Sequence, residues 1–160
     1  MAKRNIRLEG DEILKKISKP VEEINEKILT LIDDMFETMY AQNGVGLAAV
    51  QVGVLKRIIV IDLYEEGMQF VLINPVLVKA KGVQEVDEGC LSFPNQFGKV
   101  ERPKEVVVEA LDLDGNKVKL KAKDLLAQAL CHEIDHLNGI TFVDVMEPDT
   151  LQYVEPNSKE

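Results

Sequence analysis

Apolar positions recur at two different periods along this chain, and the change of period predicts its elements. Ile24, Ile28, Leu31, Ile32, Met35 and Met39 fall at the spacing of one helix face. They predict an amphipathic helix over roughly 25–42, stopped by Asn43-Gly44. Downstream, "RIIVID" (57–62), "FVLINP" (70–75), "VLVKAKG" (76–82), "EVVVEALD" (105–112) and "KVKLKAK" (117–123) are short runs rich in β-branched residues and read as strands. Asp114-Gly115-Asn116 supplies hairpin turn chemistry between the last two. A second helix is predicted to start after Asp124, read as its N-cap, and to end at Asn138-Gly139. Residues 1–20 read as an irregular arm ending at Pro20. Strands bracketed by two helices predict an α+β fold in a single domain over 1–160. Its antiparallel or mixed β-sheets would pack around the second helix as the central element, with the first as an N-terminal helix.

Composition narrows the classes. The net charge of −9, from 28 acidic against 19 basic residues, argues against a phosphate-binding surface, so no nucleic-acid partner is expected. "MAKRNIRLEGDEILKK" lacks the apolar run of a signal peptide or membrane span, so no membrane partner is expected either. Two cysteines, Cys90 and Cys131, do not make a disulfide framework. A reducing cytoplasm is the expected compartment, where a thiolate stays available to a metal.

The chain has only two histidines, and both lie in "ALCHEIDHLNG". On a helix His132 and His136 are one turn apart on one face, and Glu133 points about 100° round from His132. This is the H-E-x-x-H arrangement of two imidazole ligands and a carboxylate beside metal-activated water. Leu126, Leu130, Ile134 and Leu137 form a second apolar stripe, so the helix is expected to be buried on two sides. A third ligand is needed. Downstream of His136 stand only scattered acids, Asp144, Glu147 and Asp149, whereas upstream lies "DEGCLSFP", where Cys90 sits among loop formers. Cys131 competes for the role, but it points about 100° away from His132 and reads as a small packed residue. Cys90 is the stronger candidate.

"GVGLAAVQVG" (44–53) is the other unusual stretch. Gln51 is its only strongly polar side chain; a buried amide must either satisfy neighbouring backbone or donate to a ligand.

Taken together, "GVGLAAVQ", "EGCLS" and "HEIDH", in this order and at these separations, resemble the peptide deformylase family over nearly the whole chain. The absence of an insertion between the first two is similar to the shorter bacterial type. The resemblance implies an iron(II)-dependent hydrolase, with zinc, nickel or cobalt as possible substitutes. It would remove the formyl group from N-formylmethionine at the start of nascent polypeptides and release formate. Carried over by motif position, Cys90, His132 and His136 would hold the metal, with water as the fourth ligand. Metal-bound hydroxide would attack the formyl carbon, with Glu133 as general base and acid. Gln51 and the backbone N–H of Leu91 would bind the developing oxyanion. The backbone of Val45, Gly46 and Leu47 would pair with an extended substrate, and Val45, Leu91, Leu125 and Ala129 would line the methionine pocket.

Two positions depart from the family pattern. Cys131 stands where most members have glutamine, and Phe97 where many have arginine. Both bear on support for the binding helix and on contacts beyond methionine. Arg102 is a candidate partner for Glu88 or Asp135. The acidic tail "MEPDTLQYVEPNSKE" is unlike a basic ribosome-docking helix, so no such docking is expected. Two rivals make different predictions. A small zinc peptidase would need a ligand after His136 and ignore loss of Cys90, and a silent metal-binding protein would be indifferent to Glu133→Ala.

Overall fold

Ile58, Ile59, Val60 and Ile61 are all fully buried, because their strand is covered on both faces rather than one. Ile59 and Ile61 pack into one apolar core, Ile58 and Val60 into another on the opposite side of the sheet. The computed structural model that shows this describes residues 2–154; the end of the acidic tail, 155–160, lies outside the described residues.

The elements are α1 (Glu26–Ala41), β1 (Gly46–Ala48), β2 (Ile58–Asp62), β3 (Gln69–Lys81), β4 (Gln84–Cys90), β5 (Phe93–Arg102), β6 (Glu105–Leu111), β7 (Lys117–Lys123), α2 (Asp124–Leu137), a single turn α3 (Phe142–Val145) and β8 (Gln152–Tyr153). They build a five-stranded sheet of order β1-β2-β3-β6-β7 and a three-stranded sheet of order β4-β5-β8. Every strand pair in them is antiparallel. The chain is therefore α+β, as expected, with antiparallel rather than mixed sheets.

Helix α1 covers one face of the large sheet through Ile28, Leu31, Ile32, Met35 and Met39, against Leu47, Ile58, Val60 and Ile73. Helix α2 covers the other through Leu126, Leu130, Ile134 and Leu137, against Ile59, Ile61, Leu72, Val106 and Val108. The two-sided cover ends at β2 and the start of β3. Strands β6 and β7 alternate instead, with Val106, Val108, Ala110 and Ala122 inward and Lys117, Lys119, Lys121 and Lys123 exposed. A third, small core of Phe93, Val100 and Phe142 joins the second sheet to α3.

Local chemistry explains the element ends. Asn25 caps α1, its side-chain oxygen accepting the N–H of Ile28 at 3.1 Å. The β6–β7 turn falls where the sequence puts it: Asp112 Oδ1 accepts the N–H groups of Asp114 and Asn116 at 2.9 Å each, and Gly115 has φ +83°.

Four expectations need correction, and the stretch 44–53, left open above, takes a definite form. The runs at 70–75 and 76–82 form one strand, β3; Asn74 at φ +54° and a register shift keep it continuous through Pro75. Cys90 does not lie in a loop but ends β4, and β4 and β5 form a hairpin that loop-forming residues disguise. "GVGLAAVQVG" is the strand β1 followed by a 3-10 turn, Ala49–Val52. The N-terminal arm contains a 3-10 turn, Glu12–Lys15, and is tied to the body by Arg7 N–H to Gln51 C=O at 2.7 Å and Glu9 N–H to Ser92 C=O at 2.8 Å. Asp124 does not cap α2; it takes φ +56° and its carboxylate pairs with Lys104 at 2.7 Å. Among the described residues no helix is long and apolar enough to cross a membrane.

Candidate metal centre and cleft

Helix α2 buries ten of its fourteen residues, and three of them are His132, Glu133 and His136. Polar groups enter a core only against strong compensation, so their partners decide what they do. The end of β4 brings Cys90 to the same place. The candidate ligand atoms of Cys90, His132 and His136 all lie within 4.8 Å of one another, with Cys90 Sγ 3.2 Å from His136 Nε2. Glu133 Oε2 stands 3.9 Å from His132 Nε2.

An ionic chain holds this arrangement from behind. His132 Nδ1 meets Glu88 Oε1 at 2.7 Å, which turns Nε2 toward the site. Arg102, buried, donates to Glu88 from Nε at 3.0 Å and from Nη2, and donates from Nη1 to Asp135 Oδ2 at 2.8 Å. The chain thus runs from α2 through β4 and β5 and back to α2. Burial opposes ionisation of Glu88, but the hydrogen bonds and charges of His132 and Arg102 prevail and hold its carboxyl down to about 2. Arg102 therefore bridges both of the partners its sequence neighbourhood suggested.

The donor set fits a divalent metal. One sulfur and two imidazole nitrogens are ligands for a borderline-soft cation, and a buried atom beside them, Glu133 Oε1, has no protein partner. Burial lowers His132, but the negative field of Glu133, Cys90 and Glu88 raises it well above its ordinary value. His136 is pushed well below its ordinary value by burial and by His132, the neutral form a ligand requires. Burial pushes the Glu133 carboxyl up to about 7, against the opposing charge of His132. Near pH 7 such a group both accepts and returns a proton.

Gln51 satisfies neighbouring backbone and faces the candidate ligand Cys90. Its Oε1 accepts the N–H of Ala48 at 2.9 Å, and its Nε2 donates to Ser92 Oγ at 3.1 Å and lies 3.4 Å from Cys90 Sγ. The amide is thus aimed beside the candidate metal centre. Ser92, fully buried, was not singled out from the sequence; two residues past Cys90 and across a hairpin turn, it carried no period to find it by.

These groups open into a cleft of about 800 Å³, within the range of small-molecule sites. Val45, Gly46, Gln51, Cys90, Leu91, Leu125, Ala129, His132 and Glu133 all line it. Leu47 does not; its side chain is buried in the core against α1 while its backbone pairs with Val60. Gly46 must be glycine, since a Cβ there would come within 2.6 Å of Glu133 Oε2. Arg4, Asn5, Ile6 and Leu8 of the arm also line the cleft, a contribution no periodicity announced. Phe97 borders it too, its ring against Gly89. Cys131 is buried away from it, and burial raises its thiol to about 11, an inert form. After His136, Asp144 is occupied in accepting the N–H of Thr141 at 2.9 Å. No acid from that segment joins the candidate ligand group found among the described residues.

The family model for polypeptide deformylase matches residues 3–152. A peptide deformylase of Acetivibrio thermocellus is 60% identical over 144 residues, covering 90% of this chain and 84% of that protein. The crystal structure of a peptide deformylase from Legionella pneumophila superposes with a TM-score of 0.88 at 48% identity, over 92% of this chain and 88% of that one. A peptide deformylase from Synechococcus elongatus, solved in complex with actinonin, gives 0.87 at 42% identity, over 91% and 80%.

Proposed function

The chain belongs to the polypeptide deformylase family, and on that premise we propose how its residues divide the work. It is a deformylase, removing the N-formyl group from nascent peptides. The observation that carries the residue assignment is the convergence of Cys90, His132 and His136 on one point of a cleft, with the Glu133 carboxylate beside them.

Cys90, His132 and His136 would hold a ferrous ion. Its chemistry is Lewis-acid activation of water and of the formyl carbonyl near neutral pH. The protein's own groups do the rest. The backbone of Val45 to Leu47 lies at the free edge of the large sheet, where an extended peptide can add as a further strand. Val45, Leu91, Leu125 and Ala129 form the wall for an unbranched methionine side chain. The Gln51 amide and the Leu91 N–H donate to the formyl oxygen as charge develops there, and such donors supply about 2.7–4 kcal/mol when preorganised. Glu133 accepts a proton from water as the oxygen adds to the formyl carbon. It passes that proton to the amine nitrogen as the C–N bond breaks, leaving formate and a free N-terminus.

The deciding experiment measures formate release from a short N-formylmethionyl peptide, using protein purified without oxygen and loaded with ferrous iron. Release is expected, along with its disappearance in Glu133→Ala while metal content is retained. Cys90→Ala that keeps both metal and activity would instead favour a peptidase-like site with another third ligand. No release from protein with metal bound would overturn the assignment.

A further inference from the structure

Gly44 and Val45, just before β1, form part of the cleft wall with little side-chain anchorage: one has no side chain, and the other is exposed. They are held instead from the turn that follows β2. The Val45 carbonyl accepts the N–H of Asp62 at 2.9 Å. The Gly44 carbonyl accepts the hydroxyl of Tyr64 at 2.5 Å. Tyr64 is 55% exposed and does not line the cleft. Its ring rests on Tyr40 with centroids 6.0 Å apart, a contact that requires no hydroxyl.

The backbone is bent to place that hydroxyl. Tyr64 has φ +61°, a left-handed conformation that bulky residues rarely adopt. Asp62 sustains it, accepting the Tyr64 N–H on Oδ1 at 2.7 Å. Oδ2 of the same carboxylate accepts the hydroxyl of Tyr40 at 2.5 Å, and Gln69 Nε2 donates to that hydroxyl at 2.8 Å. Asp62 and Gln69 are themselves register partners across β2 and β3. A strained turn, one carboxylate and a tyrosine of α1 are thus arranged around a single outcome, the bond from Tyr64 to Gly44. On the other side the same segment faces the site: a Cβ on Gly44 would come within 2.7 Å of Leu91 Cδ1, and one on Gly46 within 2.6 Å of Glu133 Oε2.

We propose that Tyr64 is a positioning residue for substrate binding, which holds Gly44 to Gly46 from outside the cleft in the geometry that the peptide beyond formylmethionine pairs with. The inference rests on the deformylase assignment with β1 as the substrate-pairing edge. Without the tie, the segment samples other positions in the free enzyme and the substrate must select the competent one. The loss falls on binding of the longer peptide rather than on the chemical step.

The test is Tyr64→Phe in the full, iron-loaded chain, which keeps the ring and removes only the hydroxyl. For an N-formylmethionyl tripeptide, KM should rise roughly three- to tenfold with kcat unchanged, the effect of losing one neutral hydrogen bond. For N-formylmethionine amide, which meets this segment only through the Val45 side chain and has no following residues to pair, KM should rise clearly less. Hydrogen exchange at the amides of Val45 and Gly46 should quicken, a readout that needs no catalysis. Unchanged exchange, or equal losses on both substrates, or a fall in kcat alone, would overturn the proposal. Failure of the unsubstituted enzyme to release formate would strike the underlying assignment instead, and the exchange measurement tells the two apart.

Discussion

Helices α1 and α2 lie on opposite faces of one sheet and both bury polar side chains, yet they treat them differently. On α1 the buried polar groups are fully answered. Asp34 accepts the N–H of Ala2 at 2.7 Å and Arg4 Nε at 2.8 Å, and Thr38 Oγ1 accepts the N–H of Arg4 at 2.8 Å. On α2, Glu133 Oε1 has no protein partner, although it is buried. An unmade hydrogen bond of this kind costs about 1–3 kcal/mol. The Glu133 oxygen is left open toward a group that is not part of the chain, beside the cysteine and histidine ligand set.

The widest separation between the two helices should come from Glu133→Gln. On α2 the change removes the base and is expected to lower kcat/KM by roughly 10²–10⁴-fold. It also removes a carboxyl that is only 4% exposed and that burial already pushes up to about 7. The urea midpoint should therefore hold or rise. A group whose loss abolishes catalysis while sparing stability is there for the reaction. A fall in stability as large as the fall in activity would collapse the contrast.

Arg102→Leu reverses the balance. It leaves Glu88 buried beside His132 without the guanidinium that pairs with it, a change expected to cost about 3–5 kcal/mol. Acid should expose the same group in the unsubstituted protein. Glu88 has a carboxyl at about 2 in the fold against an ordinary 4.5, so the folded form binds fewer protons. Its contribution is complete above that ordinary value and fades as pH falls from about 4.5 toward 2, amounting to on the order of 3 kcal/mol. Urea unfolding at pH 6 and pH 3 checks it: Glu88→Gln should flatten the difference between the two. On α1, Asp34→Ala strands the Ala2 N–H and frees Arg4 and is expected to cost less, ~1–3 kcal/mol.

Legibility from the sequence follows the same division. Helix α1 and the strands β6 and β7 were readable because each obeys one period, β2 because it is a short β-branched run, and His132, Glu133 and His136 because helical spacing brings ligands together from within one element. Cys90 could be singled out as a ligand but not placed on a strand, since Gly89, Ser92 and Pro94 read as loop. Ser92, the arm residues Arg4 to Leu8, and Tyr64 were not readable. They reach the site or its wall through contacts between distant segments, and no local pattern encodes a contact of that kind.

The smallest expected effect tests how the two helices begin. Asn25 caps α1 through Ile28, and Asn25→Ala should cost about 1 kcal/mol, lowering Tm by a few degrees with formate release unchanged. At the start of α2 no side chain caps the first turn, and Asp124 adopts φ +56° with its carboxylate on exposed Lys104. Asp124→Gly gives up an exposed, solvent-screened ion pair that contributes little. It also relieves a left-handed strain, since glycine adopts that conformation freely. The two terms oppose, so Tm should move by less than in Asn25→Ala. A loss from Asp124→Gly larger than that from Asn25→Ala would mean that the carboxylate at the head of α2 anchors the metal-binding helix as Asn25 anchors α1. The difference between the helices would then lie in their middles alone, where Glu133 Oε1 remains without a protein partner.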